Sequence, residues 1–380
     1  MISKRAEEIK PSVTLSINQM AKMLISQGKD VVNLSVGEPD FDTPQPIKEF
    51  AKKVIDDGFT KYTEDKGIKE LREVISEKLL KENNLKYTPE QIVVSNGAKH
   101  SLFNIFLTIL NPDDEVIIPS PYWVSYPAMV KIAGGVPVFC KWNDKFKIDI
   151  DDLKQKITPR TKGIILNTPS NPTGIVYTKE ELIEIAEVLV RNNIICISDE
   201  VYEKIIYDKI HISIAEMSDE MKKLTIVVNG VSKTFAMTGW RIGYIAGEKE
   251  IVNAISKIQS QTTSAPSSIS QKAAYFAIKE GEDIYKDMIE EFKKRRNFLV
   301  ENLSKKISFP YPDGAFYIFC NFNNMDSKII AQKLLEEKFV SVVPGDDFGA
   351  EKFFRISYAN SMENLKKAVE RINQFVNENE

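Results

Sequence analysis

Between residues 91 and 246 short β-branched runs alternate with amphipathic stretches of helical length, and no other feature narrows the fold so far. The strands expected from it are Gln91–Ser95, Glu115–Ile118, Val136–Cys140, Gly163–Asn167, Ile194–Ser198, Leu224–Asn229 and Gly243–Ala246. Helices are expected between them, for example over Ala98–Leu110 and Lys179–Asn192. Thr178, with Glu181 three residues on, forms a capping-box pattern at the start of the second. Such alternation gives an α/β layer with a mainly parallel sheet, because parallel neighbours need a crossover between them. Ligands in these sheets bind beyond the carboxyl ends of the strands.

From about Gln271 the pattern changes. A long charged helical stretch carries Lys293, Lys294, Arg295 and Arg296, a run that reads as one solvated helix face. After it come Gly314-Ala315-Phe316-Tyr317, a helix near Ser327–Glu337, a strand-like Val340–Val343 and a terminal helix from Ser361. The division expected is an arm over 1–11, a small α/β domain from 12–45 with 280–380, and a large domain over 46–279. The helix Val13–Gln27 is assigned to the small one.

Composition excludes several classes. At 380 residues, 43% apolar and 28% charged, the chain can bury two sizeable cores. Its 51 basic and 54 acidic side chains leave a net charge of -3, and no basic tract interleaves with aromatics, so nucleic acid is not an expected partner. No apolar run approaches the ~18 residues of a membrane span, and the N-terminus has no apolar signal-peptide core. Cys140, Cys196 and Cys320 sit far apart in apolar strand contexts and read as reduced thiols of a cytoplasmic protein. Only His100 and His211 are present and there is no Cys-x-x-Cys, so neither a zinc site nor a Ser-His-Asp triad is expected.

The polar residues at the strand ends carry the chemistry. Ser95-Asn96-Gly97-Ala98-Lys99 joins a strand to a helix start, where free backbone N–H groups suit a phosphate; it is also an ordinary strand–helix turn. Trp123 follows the next strand and suits stacking on an aromatic ring or plain packing. Asn167-Thr-Pro-Ser-Asn171-Pro-Thr-Gly174 is a strand-end loop as well as a turn sequence. Asp199 closes an apolar run, either as a helix cap or as a buried carboxylate paired with a cation, and Tyr202 lies three residues on. Lys233 stands among small residues in Gly-Val-Ser-Lys-Thr-Phe-Ala-Met-Thr-Gly-Trp-Arg-Ile-Gly, residues 230–243. A lysine so placed suits a Schiff base, and Arg241 suits an anionic group of the same ligand.

Those fourteen positions resemble the pyridoxal-phosphate (PLP) attachment segment of class I aminotransferases. The resemblance extends over nearly the whole chain, to fold-type I PLP enzymes and to the prokaryotic subgroup of aspartate aminotransferases. It implies that Lys233 holds the cofactor covalently and then moves a proton as general base and acid, in two half-reactions of ping-pong type. It implies Asp199 at the ring nitrogen, Asn171 and Tyr202 at the phenolic oxygen, Trp123 on the ring face, and Arg241 with Gly97, Ala98 and Lys99 around the phosphate. Tyr62, in Lys61-Tyr62, resembles the tyrosine that reaches the phosphate of a neighbouring subunit, which implies a homodimer. Gly37, in Gly-Glu-Pro-Asp-Phe-Asp-Thr-Pro, resembles the glycine whose amide meets the substrate, and Arg355, in Phe-Phe-Arg-Ile-Ser-Tyr, the arginine that grips its α-carboxylate. Without the resemblance Arg355 reads as a strand-edge salt bridge. Lys99 resembles the subgroup's lysine for a second carboxylate, with Ser12 and Thr14 nearby. The expected reaction moves the amino group of aspartate to 2-oxoglutarate, giving oxaloacetate and glutamate. Prephenate or aromatic amino acids are the alternative substrates, and carbon–sulfur lyases or aminocyclopropane-carboxylate synthases the alternative enzymes. A PLP-binding regulator is disfavoured, since only about forty residues precede the large domain and a winged helix needs more.

Overall fold

The structure, a computed structural model, describes residues 1–9, 13–323 and 325–379. Seven strands form the central sheet: β1 (Ile92–Ser95), β2 (Glu115–Pro119), β3 (Val136–Cys140), β4 (Thr161–Asn167), β5 (Ile195–Asp199), β6 (Thr225–Gly230) and β7 (Gly243–Ala246). Their order is β1-β7-β6-β5-β4-β2-β3. All run parallel except β7, which is antiparallel to both neighbours. All seven strands expected between residues 91 and 246 are present, with ends within two residues, whereas the expected Val340–Val343 strand is split into Val340–Ser341 and Val343–Pro344 in different sheets. The central ones are buried along their length, which is why they read as continuous apolar runs.

Helices cover both faces. Ala98–Ile109 and Lys249–Thr262 bury Leu102, Ile105, Phe106, Val252 and Ile255 against Val93, Ile165 and Val228. On the other face Lys179–Asn192 buries Leu182, Ile185 and Leu189 against Ile164 and Cys196. Its capping box is made: the Glu181 N–H donates to Thr178 Oγ1 at 3.4 Å, and the Thr178 N–H to Glu181 Oε2 at 2.7 Å.

The C-terminal part carries its own antiparallel sheet of β8 (Ile307–Ser308), β9 (Tyr317–Phe322), β10 (Val343–Pro344) and β11 (Phe353–Ser357), in the order β10-β11-β9-β8. Phe292, Phe316, Phe322, Tyr358 and Phe375 fill the core between it and the helices Glu282–Asn302 and Met362–Glu378. Val32–Asn33 pairs in parallel with Val340–Ser341, so the N-terminal segment is built into this part. Leu34 and Val32 share its core. The helix Val13–Ser26 ends one residue before its expected limit.

One expectation fails. The basic run 293–296 is not a solvated face, because Arg295 and Arg296 are buried within the helix Glu282–Asn302. Arg295 pairs with Asp40 at 2.7 Å and Glu291 at 3.1 Å, under the ring of Phe41. Arg296 pairs with Asp208 at 2.5 Å between the rings of Tyr207 and Tyr311. Distant carboxylates compensate charges that the local sequence leaves bare. The three cysteines are buried and unpaired. Among the described residues no helix is long and apolar enough to cross a membrane.

Candidate active site

The carboxyl ends of the parallel strands open onto a cavity of about 530 Å³. The turn after β1 brings Ala98 and Lys99, the loop after β2 brings Trp123, and the loop after β4 brings Asn167 and Asn171. Strand β5 ends in Asp199, with Tyr202 following. The loop between β6 and β7 brings Lys233 and Arg241. The C-terminal sheet adds Tyr317 from β9 and Arg355 from β11, and the N-terminal segment adds Asn18, Gly37 and Glu38.

The β6–β7 loop explains the crowd of small residues around Lys233. Gly230 and Gly243 face each other across the two strands, so the fourteen-residue segment is a hairpin loop closed by a glycine pair. A Cβ on Gly243 would stand 2.2 Å from the Ala98 nitrogen, and one on Gly97 would stand 2.3 Å from Arg241 Nη2. Glycine at both positions lets the lysine loop and the first turn of the Ala98–Ile109 helix close on each other. Gly97 also sits at φ +83. Arg241 is held by Nη1 donating to the Thr238 carbonyl at 2.9 Å, with Nη2 reaching the Asn96 carbonyl at 3.4 Å. Its guanidinium therefore lies beside the helix N-terminus, where the dipole adds positive field.

Lys233 Nζ donates to the Gly37 carbonyl at 2.6 Å. Burial pushes its ammonium down to about 8, with Glu38 opposing and Arg355 and Arg241 assisting. Asp199 is 4% exposed and does not cap a helix. Its Oδ2 accepts from the Tyr126 hydroxyl at 2.6 Å. Burial pushes its carboxyl up to about 6, against the pull of that hydrogen bond. Asn167 Nδ2 donates to the Asp199 carbonyl at 2.9 Å, and Asn167 Oδ1 accepts the Asn171 N–H at 2.8 Å, which ties the β4 and β5 loops together.

Arg355 is 2% exposed and makes no strand-edge salt bridge. Its Nη1 donates to Asn171 Oδ1 at 2.9 Å and its Nη2 to the Ser35 carbonyl at 2.8 Å. Among the described residues its buried Nε–H has no partner. The guanidinium lies 4.5 Å from the centre of the Tyr317 ring. Among the described residues none of Lys99, Lys233, Arg241 or Arg355 makes an ion pair, so the cavity holds four cations with no carboxylate bonded to any of them. Lys99 is exposed at the rim, with Nζ 4.8 Å over the Trp123 ring; partial desolvation and nearby Arg241 lower its pKa.

Most of the expected residues thus converge. Tyr62 does not line the cavity and is fully exposed, at 101%. Ser12 lies outside the described residues, and Thr14 stands one turn before Asn18 on the Val13–Ser26 helix. Sequence reading missed Tyr126, Tyr317, Asn167 and Glu38. Tyr126 lies three residues after Trp123, a helical spacing that hints at a shared face; Tyr317 has no signal that separates it from the core aromatics around it.

The sequence profile of the "Aminotransferase class I and II" family matches residues 29–372. This chain belongs to that family. It is therefore an aminotransferase. It is 45% identical to the aspartate aminotransferase of Bacillus subtilis (strain 168), over 99% of this chain and 98% of that one. It is 44% identical to the aspartate/prephenate aminotransferase of Thermus thermophilus, over 97% of each. Among solved structures, the Thermus thermophilus aspartate aminotransferase with maleate superposes with a TM-score of 0.94 at 43% identity, covering 98% of this chain and 99% of that one.

Proposed function

We propose that this aminotransferase uses PLP to pass the amino group of aspartate to 2-oxoglutarate, giving oxaloacetate and glutamate. The observation that carries the reading is the cavity itself: four cations free of ion pairs face one buried carboxylate, Asp199. That donor set fits PLP and a dicarboxylic substrate together. Arg241 and the N–H groups at Ala98 and Lys99 suit a phosphate dianion, while the Gly97 N–H, expected there too, is taken by the Ser95 carbonyl at 2.7 Å. The unpartnered Nε–H of Arg355 is a buried donor that wants an anion, and an α-carboxylate supplies one. Asp199 suits a cationic ring nitrogen, Asn171 and Tyr202 a phenolic oxygen, and Trp123 the ring face.

Bound PLP would supply an electron sink for charge developing at the substrate Cα. The protein's part is binding, orientation and proton transfer. With its pKa brought to about 8, Lys233 is neutral in useful fraction near pH 8. Its Nζ can then act as a nucleophile, take the proton from substrate Cα and return it in the reverse direction. With PLP bound, Arg355 and Trp123 would orient the substrate Cα–H bond for that proton transfer. Lys99 takes the second carboxylate as a point charge on a flexible stem, so it discriminates less sharply than a planar guanidinium. The exposure of Lys99 favours a secondary activity toward aromatic amino acids or prephenate.

Three further elements belong to this reading. The chain works as a homodimer with Tyr62 crossing to the partner's site. It resides in the cytoplasm, which three buried free thiols support. Residues 12–45 with 280–380 form a small domain and 46–279 a large one, with Arg355 and Lys233 contributed from opposite sides. The test is a set of half-reaction rates on PLP-saturated enzyme with aspartate, glutamate, alanine, phenylalanine and prephenate. Aspartate and glutamate should react fastest. Faster turnover of alanine or phenylalanine than of both dicarboxylates would overturn the substrate assignment.

A further inference from the structure

Tyr317 is fully buried on β9, a strand of the C-terminal sheet, yet its hydroxyl reaches the group of side chains at the ends of β5 and β6. Three contacts define it. Its hydroxyl lies 2.8 Å from the Tyr202 hydroxyl. Its ring face supports the Arg355 guanidinium at 4.5 Å. The third contact is with Gly37, where a Cβ would stand 3.1 Å from the Tyr317 hydroxyl oxygen; the same residue accepts the Lys233 hydrogen bond through its carbonyl. One aromatic ring thus touches the cation for the α-carboxylate, the hydroxyl offered to the cofactor and the glycine that restrains the lysine.

The direction of the tyrosine–tyrosine hydrogen bond follows from the charge beside it. Burial raises both hydroxyls and Arg355 opposes it at both, but Tyr202 is held well above the usual tyrosine range and Tyr317, with the guanidinium on its ring face, less far above it. Tyr317 is therefore the better donor and Tyr202 the better acceptor. With its oxygen so engaged, the Tyr202 hydroxyl keeps its own proton free to point into the cavity. Tyr202 has no other hydrogen-bond partner for that oxygen among the described side chains.

We propose that Tyr317 is a positioning residue that fixes the Tyr202 hydroxyl as a donor into the cavity through its own hydroxyl, and fixes Arg355 through its ring. The proposal rests on the PLP reading of the site above. It separates the two halves of the side chain, and the variants do the same. Tyr317→Phe keeps the ring and removes the hydroxyl; Tyr317→Leu removes both.

The affinity of cofactor-stripped enzyme for PLP is measured by fluorescence titration, and the affinity of PLP-saturated enzyme for succinate by calorimetry. Tyr317→Phe should weaken PLP about three- to tenfold, the worth of one hydrogen bond, and leave succinate unchanged. Tyr317→Leu should weaken succinate as well. In a Tyr202→Phe background, Tyr317→Phe should have no further effect on PLP, because the hydroxyl it orients is gone. An equal loss in both backgrounds would mean that Tyr317 acts only on general packing, and unchanged PLP affinity in Tyr317→Phe would likewise overturn the proposal. Failure of wild-type enzyme to bind PLP at all would instead sink the reading on which it rests. If Tyr317→Leu does not fold, the Tyr317→Phe cycle still decides the hydroxyl's role.

Discussion

Burial acts on Asp199 and Lys233 alike and shifts them in opposite directions, the acid up to about 6 and the amine down to about 8. Each shift brings a group closer to the neutral form at working pH, and each has a cost in stability. For Asp199 the folded pKa is raised above the ordinary 3.8. The folded chain therefore holds this proton more tightly than the unfolded chain. Its contribution to stability is complete below about pH 4 and is lost as pH rises through about 6. Cofactor-stripped Asp199→Asn should then be more stable than cofactor-stripped wild type at pH 7.5 by on the order of 2–3 kcal/mol, and no more stable at pH 4. Urea unfolding at the two pH values measures this. The same variant should lose PLP affinity and most turnover, since Asn cannot balance a cationic nitrogen. Lys233 is tested by borohydride reduction of PLP-loaded enzyme followed by peptide mapping. The label should fall on the peptide containing Lys233, and a label on another lysine would remove the assignment. Lys99→Ser should weaken aspartate and glutamate by about ten- to a hundredfold relative to alanine and phenylalanine, as expected for losing a partner of a charged group. A uniform loss across all four would make Lys99 a phosphate-loop residue only.

Among the elements, the hairpin β6–β7 shows how much of the site was legible in the sequence. The central strands stood out because a strand buried on both faces is a short apolar run, and the polar residue that ends it is conspicuous. Asp199 was found for that reason, Asn171 from the turn sequence that follows β4, and Lys233 from the small residues around it. Residues whose roles depend on a distant partner were not. Tyr317 meets Tyr202 across 115 positions and Tyr126 meets Asp199 across 73, so nothing local marks Tyr317, and Tyr126 has only its spacing from Trp123. Arg295 and Arg296 were misread for the same reason: the acids that allow their burial, Asp40 and Asp208, lie far back along the chain. The hairpin also makes a prediction of its own. A Cβ on Gly243 would meet Ala98 N at 2.2 Å and the Gly97 carbonyl carbon at 2.5 Å, both backbone atoms that cannot swing aside. Gly243→Ala should push β7 away from the Gly97 turn, lower stability by about 1–3 kcal/mol and weaken PLP by tenfold or more. Gly239, on the same loop, has nothing within 4 Å of its Cβ position, so Gly239→Ala serves as the control and should bind PLP normally. Equal behaviour of the two variants, by thermal melting and PLP titration, would show that the contact between loop and helix start is not what shapes the phosphate site.

At the scale of the whole molecule the feature left over is Tyr62. It is fully exposed in a single chain, although it belongs to the set of residues that the family resemblance brings to the cofactor. A large aromatic side chain gains nothing from full exposure, and Met20, Met23 and Ile25 on the helix Val13–Ser26 are exposed as well. A twofold homodimer accounts for both observations if each Tyr62 crosses to the other subunit's phosphate site, since a twofold interface makes every such contact twice. Sedimentation should then give a dimer at micromolar concentration. Tyr62→Phe should weaken PLP by about ten- to a hundredfold by removing one hydrogen bond to a charged group. The decisive experiment mixes subunits. On the proposed reading, Lys233→Ala subunits should lack the covalent link and Tyr62→Phe subunits should bind PLP more weakly. In a mixed dimer one site combines both defects. The other combines Lys233 of the Tyr62→Phe subunit with Tyr62 of the Lys233→Ala subunit and is wild type in every contact. Unfolding and refolding the two variants together should therefore create a class of sites with wild-type PLP affinity that neither parent shows. If each site were built from one chain, refolding would yield only the two parental affinities, and Tyr62 would not cross to the partner's site.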